Sequence, residues 1–409
     1  MTNNGKVLTI KRGIITIDNI VAFIFSLRAI TFVWLAFASD LYIPVFASMV
    51  QILRYITIPI GLAYLIKQRE AERSDLKLLL PLIFYYILLV LHTYGGYQGS
   101  YIHELFSIGC FLLMSREMKI RVFSYFYKII LFSCVISIFV YIAYMLHLPI
   151  GFSRHPFYND GIQTSYYQKW LIFAVMDSGY SIPRLCGIFN EPGGLGTVCG
   201  LLFAATFKFS SRREKIILVI TILLSMSLAG VLLLFIYLII YLAQRNWKYA
   251  VVAIGLFVFL LMIPKIDWGN SDINAFAQRF AFTASGLAGD NRTRSQFDVE
   301  FTQLLHSNEV FFGKGATYTA ESGTASYKNY IVQFGVIGFG IYILLWINSA
   351  LSVAKMNKEC LILLLVFLVS IYQRPVPLTN AYGYLVIFGG FLWIQDQEDK
   401  SRLCSTSNA

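Results

Sequence analysis

"IILVITILLSMSLAGVLLLFIYLIIYLA" occupies residues 216–243, and the way it is counted decides the fold. Counted as one helix it overshoots a crossing, which needs roughly 20 apolar residues. Counted as two it is short. As a hairpin it turns near "SMSLAG" (225–230), between runs at 216–228 and 230–243. A single crossing would place the basic "QRNWK" (244–248) opposite the other basic clusters. The hairpin keeps all of them on one side, as the positive-inside pattern requires. Short paired segments of this kind often line a cavity rather than face lipid.

The rest of the chain repeats the theme. Apolar residues make up 57% and charged residues only 13%, which excludes an ordinary soluble chain of this length. Apolar runs at 20–38, 42–66, 78–93, 101–114, 122–148, 187–207, 216–228, 230–243, 249–264, 330–353, 360–374 and 381–395 predict an all-α polytopic membrane protein of about 12 spans in a single integral domain. Lys6, Lys11 and Arg12 precede the first run. "KQREAERSDLK" (67–77), "SREMKIR" (115–121), "KFSSRREK" (208–215), "QRNWK" and "KMNKE" (355–359) each follow an even-numbered one. The N-terminus, these loops and the C-terminus are therefore expected in the cytoplasm. The first run carries Arg28 and has no small-residue cleavage site, so no cleavable signal peptide is expected. The net charge of +11 is accounted for by these loops, and nucleic acid is not a predicted partner. The six cysteines show no metal-ligand spacing and read as small buried hydrophobes. No metal and no cofactor is predicted.

Two connections on the opposite side are long, 151–186 and 265–329, and long loops are disproportionately functional. Phe297, Phe301, Leu304 and Leu305 recur at helical spacing, with Arg294 and Asp298 at i,i+4, which predicts short amphipathic helices in the second loop. The first loop ends in "PRLCGIFNEPGGLG" (183–196). Pro192 suits the first turn of a helix, whose positive end attracts anions. Arg184 precedes it and offers a planar fork of donors suited to phosphate; Glu191 stands beside it as a candidate general base. The competing reading pairs the two charges with each other, or lets Arg184 snorkel to the interface. Arg279, among Phe276, Phe280 and Phe282, joins Arg292, Arg294 and Arg374 as cations for an anionic or glycan substrate. Arg28 and Arg54 lie deep in the first two spans and read as internally paired.

"RLCGIFNEPGGLG" resembles the R-x-x-G-x-F-x-E-P-G signature of bacterial Wzy-type O-antigen and capsule polymerases. "SMSLAGVLLL" is similar to the family's Ser/Gly-containing span, and "NRTRSQFDVEFTQLLHSNEVFFGKGA" (291–316) to its arginine-to-G-x-G loop. "YKNYIVQFGVIGFGIYILL" (327–345) resembles the hN-x-y-l-x-x-x-G-l-i-G motif, placing Asn329 in the site, and "IYQRPVPLTNAYGY" (371–384) the C-terminal Arg-Pro segment. The resemblance covers about 184–384. It implies a glycosyltransferase that polymerises polyprenyl (undecaprenyl) pyrophosphate-linked oligosaccharides at the outer face of the bacterial inner membrane, often beside a chain-length regulator. It also implies that Arg292 or Arg294 binds the pyrophosphate; spacing does not choose between them. Related ligases carry His before the Asn, where this chain has Lys328, which favours polymerase over ligase. His306 reads as a helix-terminal surface residue. The alternative from another class is a flippase or exporter of lipid-linked sugars, which shares the span count but is expected to show repeated halves.

Overall fold

The computed structural model describes residues 16–31, 44–68, 76–91, 102–159, 162–177, 182–269, 271–278, 281–283, 286–287, 295–315, 318, 326–353, 357–373 and 376–406. They are mostly helical. Helices α1 (Ile17–Thr31), α2 (Pro44–Gln68), α3 (Leu80–Leu91), α4 (Ile102–Leu113) and α5 (Arg116–Met145) form the first half. Then come strands β1 (Ser153–Asn159), β2 (Ile162–Trp170), β3 (Phe173–Asp177) and β4 (Arg184–Gly187), followed by α6 (Pro192–Thr206), α7 (Arg212–Ser225), α8 (Leu228–Arg245) and α9 (Trp247–Met262). Short helices α10 (Ser271–Gln278), α11 (Ser295–Leu305) and α12 (Glu309–Phe312) precede α13 (Lys328–Val353), α14 (Lys358–Gln373), α15 (Ala381–Tyr384) and α16 (Gly390–Thr406). Among the described residues four helices are long and apolar enough to cross a membrane, at Arg116–Met145, Leu228–Arg245, Trp247–Lys265 and Lys328–Val353; shorter apolar helices run Lys77–Leu91, His103–Leu113 and Pro192–Thr206.

The 216–243 stretch is a hairpin, and its neighbour α6 shows why. Helix α7 opens on a capping box, Ser211 with Glu214, and ends at Ser225. Met226 turns the chain with a left-handed φ of 47°, and Ser227 caps α8 by accepting from the Gly230 N–H at 3.2 Å. Along α6 and α8 the contacts advance together. Gly200 meets Leu233, Phe203 packs on Tyr237 at 5.5 Å, and Phe207 on Tyr241 at 4.9 Å. The two helices therefore run side by side in the same direction. Helix α7 runs against them, since Lys215 at its start lies over the Phe207 ring (4.4 Å) while Ser225 at its end lies beside Gly196. The close approach needs glycine on both sides: a Cβ at Gly230 would stand 2.8 Å from the Gly196 carbonyl oxygen. Every residue of α6 is buried, as expected of a helix apolar all round at the centre of a bundle.

The bundle has two chemically different ends. At one, Arg121 pairs with Asp18 (3.5 Å), the Ser115 N–H donates to Gln68 (3.1 Å) and Ser349 donates to the Lys77 carbonyl (2.9 Å). There too Lys208 pairs with Glu359 (3.4 Å) and Glu398 (2.7 Å), and Arg116 reaches Asp399 at 3.8 Å. These contacts gather the helix ends that carry the basic clusters together with the C-terminal helix. The sequence grouped the clusters on one side, and the described residues of 67–77, 115–121, 208–215 and 355–359 do pack at one end. Lys6, Lys11 and Arg12 lie outside the described residues.

At the other end lies a four-stranded antiparallel sheet, in the order β1-β2-β3-β4. Hydropathy assigned 151–186 to loop, and the sheet goes beyond the all-helical expectation. Tyr166, Tyr167 and Trp170 are residues that strands favour, but none of them marks a span. Within the apolar run 187–207, Gly187 closes β4 with a φ of 60°, and the helix starts at Pro192, as the proline suggested. One sheet face packs on α5, with Val175 and Leu185 in the main core and Tyr144 donating to Asp177 at 3.3 Å. On the other, Tyr167, Ala174, Met176 and Cys186 cluster separately. Arg28 is buried and pairs with Glu104 across α1 and α4, so it is internally paired as its position suggested. The side chain of Arg54 lies outside the described residues.

Candidate functional site

The site is assembled where β4, the start of α6 and the tip of the α7–α8 hairpin meet. Arg184 opens β4, and Tyr141 of α5 holds the preceding carbonyl, Pro183, at 3.0 Å. Its guanidinium is half-buried and donates from Nε to the Ser225 carbonyl and from Nη2 to the Met226 carbonyl, both at 3.4 Å. Those carbonyls end α7, where the helix dipole is negative, so the cation is held by the hairpin tip as well as by its own strand.

Glu191 is the N-cap residue of α6. Its carbonyl accepts from the N–H groups of Gly194 (3.1 Å) and Leu195 (3.4 Å), while its side chain does not cap the helix. The backbone there is extended (φ −154°, ψ 150°), the conformation that a following proline imposes. Glu191 is half-buried, between exposed Asn190 and buried Pro192. Cys186 lies within the fields of both charges. Burial pushes its thiol up, the Arg184 guanidinium pulls it down, and the Glu191 carboxylate pushes it up again. The phenol of Tyr167 is raised by burial first, then by Cys186 and Glu191. Arg184 and Glu191 thus act with opposite sign on one buried thiol at the sheet end of the bundle. Nothing in the sequence pointed to Tyr167.

A second group forms around Asn329. Phe297, Phe301 and Leu304 bury together with Val332, while Leu305, expected in the same stripe, is exposed. The Lys314 N–H donates to the Val332 carbonyl (2.7 Å) and the Gly315 N–H to that of Gln333 (3.1 Å). The "GKG" (313–315) and "NYIVQFG" (329–335) segments therefore lie backbone to backbone. Gly313 (φ 77°) and Gly335 (φ 70°) both adopt backbone that favours glycine, and Gly335 kinks α13. Asn329 sits half-buried in the first turn of α13, its N–H on the Ser326 carbonyl at 3.1 Å. Tyr327 stacks on Tyr372 (5.2 Å), and Tyr330 donates to Thr379 at 3.3 Å, so the C-terminal motif joins the same group. His306 is an exposed helix-terminal residue bonded to the Thr302 carbonyl, as its sequence position suggested. Arg279, Arg292, Arg294 and Arg374 lie outside the described residues. Among the described residues no group of His, Cys, Asp and Glu is arranged to hold a metal ion. No protein-family model, characterised protein or solved structure matches the chain.

Proposed function

We propose that this chain is a glycosyltransferase of the bacterial cytoplasmic membrane that polymerises polyprenyl-pyrophosphate-linked oligosaccharide repeats at the outer face. The observation that carries this reading is that the chain entering the wholly buried helix α6 carries Glu191 at the helix N-cap and, seven residues earlier, Arg184 bonded to the tip of the α7–α8 hairpin. A half-buried cation and carboxylate at the rim of an apolar bundle cost desolvation free energy, and a phosphorylated glycan is a substrate that uses both. The sheet end is taken as external and the basic end as cytoplasmic, by the positive-inside pattern. The proposed count of about 12 crossings rests on the apolar runs of the sequence, of which four are helices long and apolar enough to cross among the described residues.

In the proposed reaction the growing chain is the donor. A sugar hydroxyl of the incoming repeat attacks the donor anomeric carbon, and its proton passes to the Glu191 carboxylate. The new C–O bond forms as the bond from that carbon to the pyrophosphate oxygen breaks, with the electron pair leaving on polyprenyl pyrophosphate. Arg184 and the positive end of α6 stabilise the charge developing there, the kind of preorganised electrostatics that dominates many catalysed transfers. Pyrophosphate is already a good leaving group, so no nucleotide sugar and no metal enters the scheme.

The transporter reading draws on the helix breaks at Met226, Gly335 and the Leu385–Gly389 π-turn, because broken helices accompany transport sites. These fall after the sheet, whereas the described residues of the first half carry an interior proline, Pro59 in α2. The charged residues of the candidate site lie in the second half, which favours a catalytic face over two rocking repeats. Deletion of the chain from its source strain discriminates the two. A polymerase deletion leaves single repeats at the outer face, open to an added glycosidase; a flippase deletion leaves them inside and protected.

A further inference from the structure

We infer that Tyr167 is a positioning residue that sets the Glu191 carboxylate against Arg184; the inference rests on the polymerase reading above. The register of the sheet places His155, Tyr167, Met176 and Arg184 on a single rung, so Tyr167 and Arg184 stand on the same face, two strands apart. Adjacent strands lie about 4.8 Å apart, which fixes their spacing near 10 Å. Tyr167 is 2% exposed, and its hydroxyl donates to the carbonyl of Asn190.

That carbonyl shares its peptide plane with the Glu191 N–H. Holding the oxygen therefore holds the whole plane through which the chain enters Glu191. On the far side Pro192 restricts Glu191 to extended backbone, which is where it lies. The residue is thus clamped from both sides, and the first clamp belongs to the strand face that also carries Arg184. The proximity shows electrostatically as well, since Glu191 is among the groups that raise the Tyr167 phenol. One rigid sheet fixes both charges of the proposed site. A hydroxyl that only filled space would have no bearing on Glu191.

The test uses purified full-length protein and membranes from a source strain deleted for this chain, which hold the lipid-linked repeat with its own sugars. Initial rates are read as polymer formed and polyprenyl pyrophosphate released. Tyr167→Phe removes only the hydroxyl; kcat is expected to fall roughly 10- to 100-fold, the scale of a misplaced catalytic group, with KM within about 2-fold. Because Tyr167 acts through Glu191, the double variant Tyr167→Phe/Glu191→Gln should be no slower than Glu191→Gln alone. This holds even where Tyr167→Phe lowers the melting temperature, because both variants are assayed as folded protein after the same size-exclusion step. Undiminished kcat in Tyr167→Phe, or losses that multiply in the double variant, overturns the inference and leaves the polymerase reading standing. No polymer from the native protein overturns both.

Discussion

At the scale of single residues the account turns on Arg184 and Glu191. Arg184→Lys keeps the charge but loses the planar fork, which here also grips the hairpin tip at two carbonyls. Polymer formation is expected to drop by a factor equivalent to about 2–4 kcal/mol of transition-state stabilisation, with the protein still inserted; normal long-chain polymer in cells expressing the variant would sink the role. Glu191→Gln keeps the shape and the helix start, since the side chain does not cap α6. It should cut polymerisation to a small residual rate, the roughly 10²- to 10⁴-fold loss of a missing general base, without moving the thermal unfolding midpoint. A destabilised but active variant would instead make Glu191 the structural partner of Arg184, because breaking a buried pair strands one charge. Both residues were legible in sequence as charges beside an apolar span opened by a proline. Tyr167 was not, because one tyrosine in a polar loop looks like any other until strand register and a hydrogen bond single it out.

Elements were legible where chemistry interrupts periodicity. The hairpin could be read because the basic loops demand an extra crossing; its turn at Met226 falls a few residues before the break expected between 228 and 230. The sheet could not, because its strands are neither apolar enough for a span nor regularly alternating, and it takes the ends of α5, α6 and α7 to give them a surface. The kink at Gly335 was equally hidden; it arises from the backbone contact with the Phe311–Gly313 turn. The hairpin's tight seat against α6 has a mechanical consequence. Gly230→Ala gains about 1 kcal/mol of helix propensity, yet places a Cβ 2.8 Å from a backbone oxygen that cannot swing away. Overpacking costs of about 1–3 kcal/mol should win, lowering the melting temperature in detergent. Gly340→Ala, with nothing within 4 Å of the new Cβ, should be neutral or slightly stabilising. Equal effects at the two positions would contradict the packed seat.

For the whole molecule, the sorting of basic helix ends from the sheet was largely legible, because hydropathy and charge act over whole spans and tolerate local error. It yields a topology test with an internal control. Leu171, at the β2–β3 turn, is 64% exposed, and native Cys404 is exposed at the C-terminal helix. In intact cells an impermeant thiol reagent should label Leu171→Cys at once and Cys404 only after permeabilisation; the reverse order would invert the molecule. The central claim, polymerisation at the sheet end, is tested most directly by reconstitution. Purified protein in liposomes receives polyprenyl-pyrophosphate-linked repeats from the deletion strain, and products are resolved by size alongside the released lipid. The account predicts a ladder of lengthening chains, with one polyprenyl pyrophosphate released for every linkage formed and only a residual trace released by Glu191→Gln. Movement of intact lipid-linked repeats between leaflets, with no ladder and no released lipid, would contradict it.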